Sequence, residues 1–128
     1  MNIGSVSKVT GLSSKSIRLY EEKGIIDPPN RSDAGYREYT DHHIQQLNLV
    51  SRAKSAGFSL GECREFVQLA SNPTRQSSEV RQRAQVKLAE IDLKLQQLRE
   101  IREQLSSWVD ACPGDENSDC PIIDDLTK

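Results

Sequence analysis

Apolar positions in this chain recur first at helical spacing, then in short extended arms, then again at helical spacing over a long stretch, and the changes mark its elements. Ile3, Val6 and Val9 predict a short helix, Gly11-Leu12 interrupts it, and Ser13 can cap a second helix from about Ser14 to Lys23, which Gly24 stops. Ile3, Val6, Val9, Leu12, Ile17 and Tyr20 supply an inner face, leaving Ser14, Lys15 and Arg18 outward near the start of the second helix. In IIDPPNRSDAGYREYT, Pro28-Pro29 forbids helix and Asp33-Ala34-Gly35 predicts a tight turn between two extended arms, a β-hairpin wing. Thr40 can cap a helix to about Ser55. Ser59 and Glu62 form a capping box opening another to about Ala70, and SNPTRQSS follows as a linker.

From Glu79 to Val109 the pattern predicts one long helix, roughly 46 Å at ~1.5 Å per residue. Its apolar residues Ala84, Leu88, Ile91, Leu95, Leu98, Leu105 and Val109 alternate in steps of four and three, with Arg102 taking one seam position. A lone helix with such a stripe has nothing of its own to bury it, so a coiled coil with a second copy is expected. The expected organisation is a winged helix-turn-helix domain over residues 1–70, a linker over 71–78, a dimerisation helix over 79–110 and a terminal loop and tail over 111–128. The fold class is mainly α with a small winged element.

Composition narrows the class. At 128 residues with 35% hydrophobic content the chain supports a modest core. It lacks a signal-like apolar run and a stretch able to span a bilayer, so a cytoplasmic location is expected. Thiols stay reduced there, which argues against a disulfide framework for the three cysteines. The net charge of −2 conceals an uneven distribution: +2 over residues 1–54, +1 over 55–109 and −5 over 110–128. Without its acidic end the body is mildly basic, which permits a DNA partner without demanding one.

The candidate chemistry falls at two places. Lys15 and Arg18 stand where a helix-turn-helix inserts its second helix into the major groove. The wing adds Arg31, Tyr36, Arg37 and Tyr39, two guanidiniums and two phenols suited to backbone phosphates, and Arg52 and Lys54 extend the basic set. Ser14 and Tyr20 complete the expected DNA-contacting group. At the other end, ACPGDENSDCPII places seven residues between Cys112 and Cys120, a spacing open to a disulfide, a metal site or neither. Cys63, among Phe66, Val67 and Leu69, reads as a small buried hydrophobe, and His42 and His43 as polar residues of a helix start. No nucleophile with a base, Gly-rich phosphate loop or paired-carboxylate site is present, so no enzymatic activity is expected.

GLSSKSIRLYEEKGII, NRSDAGYREYT, RAKSAGFSL and the long helix, in that order and spanning nearly the whole chain, resemble the MerR family of dimeric bacterial regulators. Within it, ACPGD and DCPII are most similar to the copper-responsive members. The resemblance implies an antiparallel coiled coil in the dimer, double-stranded promoter DNA as partner, and metal-dependent bending and untwisting that presents both promoter elements to RNA polymerase. Such deformation costs on the order of 1–6 kcal/mol, within reach of a metal site's coupling free energy. It further implies Cu(I), with Ag(I) or Au(I) as alternatives, held by Cys112 and Cys120, whose soft sulfurs suit a univalent ion.

Two thiolates around such an ion leave a net charge of −1, and Arg81 with the amino end of the long helix offers compensation. In the resemblance Ser77 stands where divalent-metal relatives carry a third cysteine from the other subunit, although a serine there is also an ordinary cap. PIIDDLTK closes the sequence without the Cys/His-rich extension of some copper regulators, so metal transfer through the tail is not expected. Three rivals remain: a divalent-metal sensor of the same fold, a Cys112–Cys120 redox sensor, and a copper carrier that does not bind DNA.

Overall fold

Side-chain caps fix the ends of the first helices. Asn2 accepts the Ser5 N–H at 2.8 Å and opens α1 (Ile3–Thr10), and Gly11 closes it at φ +73°, a conformation that costs glycine little. Ser13 accepts the Ser16 N–H at 3.1 Å and opens α2 (Ser14–Glu22). The wing is an antiparallel pair, β1 (Asn30–Arg31) and β2 (Arg37–Glu38), with Asn30 opposite Glu38 and Arg31 opposite Arg37. Its tip turns at Gly35, φ +85°, whose N–H donates to the Ser32 carbonyl.

Thr40 caps α3 (Asp41–Ser55) in a box whose return partner is His43: the Thr40 N–H donates to His43 Nδ1 at 3.0 Å. With Nδ1 accepting, the ring proton sits on Nε2, which faces the Pro28 carbonyl at 3.3 Å. The expected Ser59/Glu62 capping box opens α4 (Leu60–Ala70), which packs on α3. α5 runs from Ser77 to Ala111, two residues longer at each end than the apolar stripe indicates. Ser77 and Ser78 are therefore helical rather than capping. A final six-residue helix, α6 (Pro121–Leu126), lies where the sequence pattern indicates only loop and tail, although Pro121 at its first turn and Ile122, Ile123 and Leu126 behind it are its signal.

The computed structural model describes all 128 residues and divides them into two compact units, Met1–Ala84 and Gln85–Lys128, the boundary falling inside α5. The core of the first is Val6, Ile17, Tyr20, Ile25, Ile26, Tyr39, Leu47, Val50, Cys63 and Val67. Cys63 is fully buried, with its thiol directed at the Val50 carbonyl 3.8 Å away. Val9, expected on the inner face, is exposed. The second unit leaves its stripe uncovered, with Leu88, Leu95, Leu98, Leu105 and Val109 between 45% and 65% exposed and Ile91 partly buried. Ile101, adjacent to Arg102, is also exposed, and both line a groove with Leu98, Leu105 and Val109, so the stripe has an apolar side chain beside Arg102 on that turn. No helix is long and apolar enough to cross a membrane.

Candidate metal centre and nucleic-acid interface

α5 and α6 bring the two cysteines together. The Cys112 N–H donates to the Trp108 carbonyl at 3.0 Å, extending the helical pattern of α5 by one residue, and Cys120 is the N-cap residue of α6. Between them the loop turns at Gly114, φ +64°, and Asp115 accepts from the Asn117 N–H at 2.9 Å. The sulfurs lie 3.9 Å apart, both partly buried and both free thiols. That separation is too long for a disulfide. It is less than twice a metal–thiolate bond of ~2.3 Å, so a single ion can touch both.

The electrostatics favour ionisation at one of them. The backbone N–H groups of Ile123 and Ile122 face Cys120 and hold its thiol below the usual cysteine range against a smaller opposing effect of burial, while the Asp124 carboxylate pushes weakly the other way. Cys63 is the contrast, since burial pushes its thiol up. No group of three or more histidine, cysteine and carboxylate side chains within the chain is arranged to hold a metal ion. Asp115, Glu116 and Asp119 of the loop are solvent-exposed. Ser77 opens α5 and Arg81 stands in its second turn, whereas the cysteine pair follows that helix's other end.

α6 is tied down by a contact that the sequence pattern does not suggest. The Trp108 indole N–H donates to Asp125 Oδ2 at 2.6 Å, and the Lys128 ammonium pairs with Asp125 Oδ1 at 3.0 Å. The Lys128 ammonium first, and then the Trp108 indole, hold the Asp125 carboxyl below the usual carboxylate range.

The outward residues of α2 stand as expected: Lys15 and Arg18 are exposed and Ser14 is partly so. On the wing Tyr36 is 75% exposed, and the Arg31 guanidinium donates to the Gly35 carbonyl at 3.1 Å. Two expected phenols are not at this surface. Tyr20 is 5% exposed and Tyr39 only 2%, both within the core, because the hairpin docks its foot on the helices and so turns Tyr39 inward. The Tyr39 hydroxyl donates to Glu21 Oε2 at 3.2 Å. Arg37 is half-withdrawn too, its Nε 3.1 Å from the same oxygen. Arg52 and Lys54 are exposed in the last turn of α3, where their charges also complement the helix's negative end.

The model of the MerR HTH family regulatory protein matches residues 1–70, which hold α1 to α4 and the wing. Over 126 residues the chain is 53% identical to the HTH-type transcriptional regulator CueR of Vibrio cholerae serotype O1, covering 98% of this chain and 91% of that one. It is 49% identical to the CueR of Salmonella typhi over 127 residues, 99% and 92% of the two chains. Among solved structures, the transcription regulator PbrR691 from Ralstonia metallidurans CH34, in complex with lead(II), superposes with a TM-score of 0.88 over 98% of each chain at 26% identity. With its helix-turn-helix and wing matched by the family model and nearly its whole length matched by such relatives, this chain belongs to the MerR family, and is a transcriptional regulator rather than an enzyme.

Proposed function

We propose that the chain is a Cu(I)-responsive activator, also answering Ag(I) or Au(I), that works in the cytoplasm on the promoters of metal-efflux and detoxification genes. Family members bind promoter DNA and are typically dimers. The observation that carries the metal assignment is the pair of free thiols 3.9 Å apart with no third strong ligand gathered beside them. Two thiolates suit a soft univalent ion that accepts few ligands, whereas structural zinc takes four.

In this reading Cys112 and Cys120 would hold the ion, whose positive charge would offset that of their two thiolates at the separation the fold already sets. Ser77 contributes a hydroxyl rather than a third thiolate, and Arg81 offsets the excess negative charge, both from the partner protomer. The stripe of α5 from Leu88 to Val109 forms the antiparallel dimer seam. Lys15 and Arg18 enter the major groove, while Arg31, Tyr36 and Arg37 hold the flanking phosphates. Metal binding then favours a distorted promoter whose elements RNA polymerase can engage together.

The same sulfur separation and the lowered Cys120 thiol also fit a redox sensor that closes a Cys112–Cys120 disulfide. Transcription from a responsive promoter with reduced protein distinguishes the two. A copper sensor gives metal-dependent transcript that is lost in Cys112→Ser and in Cys120→Ser, at one ion per cysteine pair. Full metal response in both variants would overturn the assignment, and activation by an oxidant in metal-free buffer would favour the redox reading.

A further inference from the structure

We propose that Trp108 and Asp125 are a positioning pair for the thiol site: their hydrogen bond clamps α6 to the last turns of α5 and so presets the distance between the two sulfurs. This inference rests on the reading of Cys112 and Cys120 as the effector site.

Cys112 is fixed to α5 by its hydrogen bond to the Trp108 carbonyl, and Cys120 moves with α6 as its N-cap residue. Trp108 precedes Cys112 by one helical turn, and Asp125 lies on α6 five residues after Cys120. The indole N–H to carboxylate bond therefore joins the same two helices as the sulfurs do, one turn away from them. At 2.6 Å it is short, and its acceptor is ionised, the class of hydrogen bond that is strongest. The Lys128 ammonium on the other carboxylate oxygen orients the acceptor.

The intervening loop cannot do this work. It is exposed from Pro113 to Asp119, and its own hydrogen bonds, from Asn117 to Asp115, are local. A loop so tethered would otherwise let the thiols sample many separations, and an ion bridging them would have to supply the ordering. Fixing the second helix before the ion arrives removes that cost from binding. α6 is too short to be stable without such an anchor.

The test uses the full-length reduced protein with Trp108→Phe, which keeps the ring and loses the donor, Asp125→Ala, which loses the acceptor, and the double variant. Two measurements apply. The first is Ag(I) affinity by competition with a soft chelator. Each single variant is expected to bind about tenfold more weakly, the order of effect of one hydrogen bond to a charged group, and the double variant no more weakly than either. The second needs no metal: the rate at which a diazene oxidant joins Cys112 and Cys120. Here two thiols each give up a proton and an electron, an S–S bond forms, and the diazene is reduced to the hydrazine. The rate is expected to fall severalfold in each variant, and Asp125→Asn, which retains an acceptor oxygen, is expected to restore part of it.

Wild-type affinity together with wild-type closure rate in the single variants would overturn the positioning role, as would fully additive losses in the double variant. A wild-type protein that fails to bind Ag(I) through its cysteines sinks the copper reading, and the closure rates still decide the clamp.

Discussion

Tyr39, at the foot of the wing, donates its hydroxyl to Glu21 of α2 at 3.2 Å, and Glu21 also holds Arg37 of β2. One carboxylate thus fastens the wing to the helix expected in the major groove.

This arrangement carries a pH signature. Burial, then the charge of Glu21 and the hydrogen bond to it, push the Tyr39 phenol up from 10.0 to about 12. A raised value means that the fold favours the protonated phenol, so its contribution to stability is complete below pH ~10 and is lost as pH rises through about 12. Urea unfolding of the wild type and of Tyr39→Phe should show the wild type losing more stability between pH 9 and 11 than the variant. Parallel losses would place the Tyr39 hydroxyl outside the network.

The exposed cations of α2 should act on phosphates or base edges. Lys15→Ala and Arg18→Ala should each weaken promoter binding at least severalfold while leaving thermal unfolding unchanged. Where the deleted cation neutralises a phosphate, the slope of log affinity against log salt also falls by about 0.9. Arg37→Ala should behave differently, losing stability as well as affinity, because its guanidinium is already paired with Glu21. Binding isotherms at several salt concentrations separate the cases.

Cysteine reactivity should divide sharply. Cys63 is sealed in the core with its thiol pushed up, whereas Cys112 and Cys120 are accessible and Cys120 is held down. An alkylating reagent at neutral pH should modify two thiols in the folded protein, Cys120 first, and the third only after denaturation. Rapid modification of Cys63 by peptide mapping would contradict its burial.

The apolar stripe of α5 should govern association. Leu98→Asp or Leu105→Asp places a carboxylate in the proposed dimer seam, and sedimentation should show a dimer converted to monomer at micromolar concentration. Arg102→Asp should do less, since Ile101 supplies the apolar side chain on that turn.

Much of the fold is legible in local chemistry. The caps at Ser13, Thr40 and Ser59, the wing turn at Gly35 and the stripe of α5 depend on neighbours a few residues away, and the structure places each where the sequence points. Tyr39 departs from its expected place because a phenol on a hairpin faces solvent or core according to where the hairpin docks, which is settled by distant residues. Glu21, sixteen residues before Arg37, gives no local sign of its role. The pairing of the two thiols is readable, since prolines and a glycine-bearing loop connect them. Their anchor is not, because Trp108 and Asp125 meet across seventeen residues and through a helix too short to announce itself.

From residue 110 onward the chain carries six carboxylates and a single ammonium in the same segment as its two partly exposed sulfurs. Whatever approaches them crosses a negative potential that hastens cations and repels anionic complexes, a gate that opens less selectively as electrolyte is added. Capture should therefore be fastest in dilute buffer and slowest from polyanionic carriers, so that charge sorts the arriving species before softness selects among them.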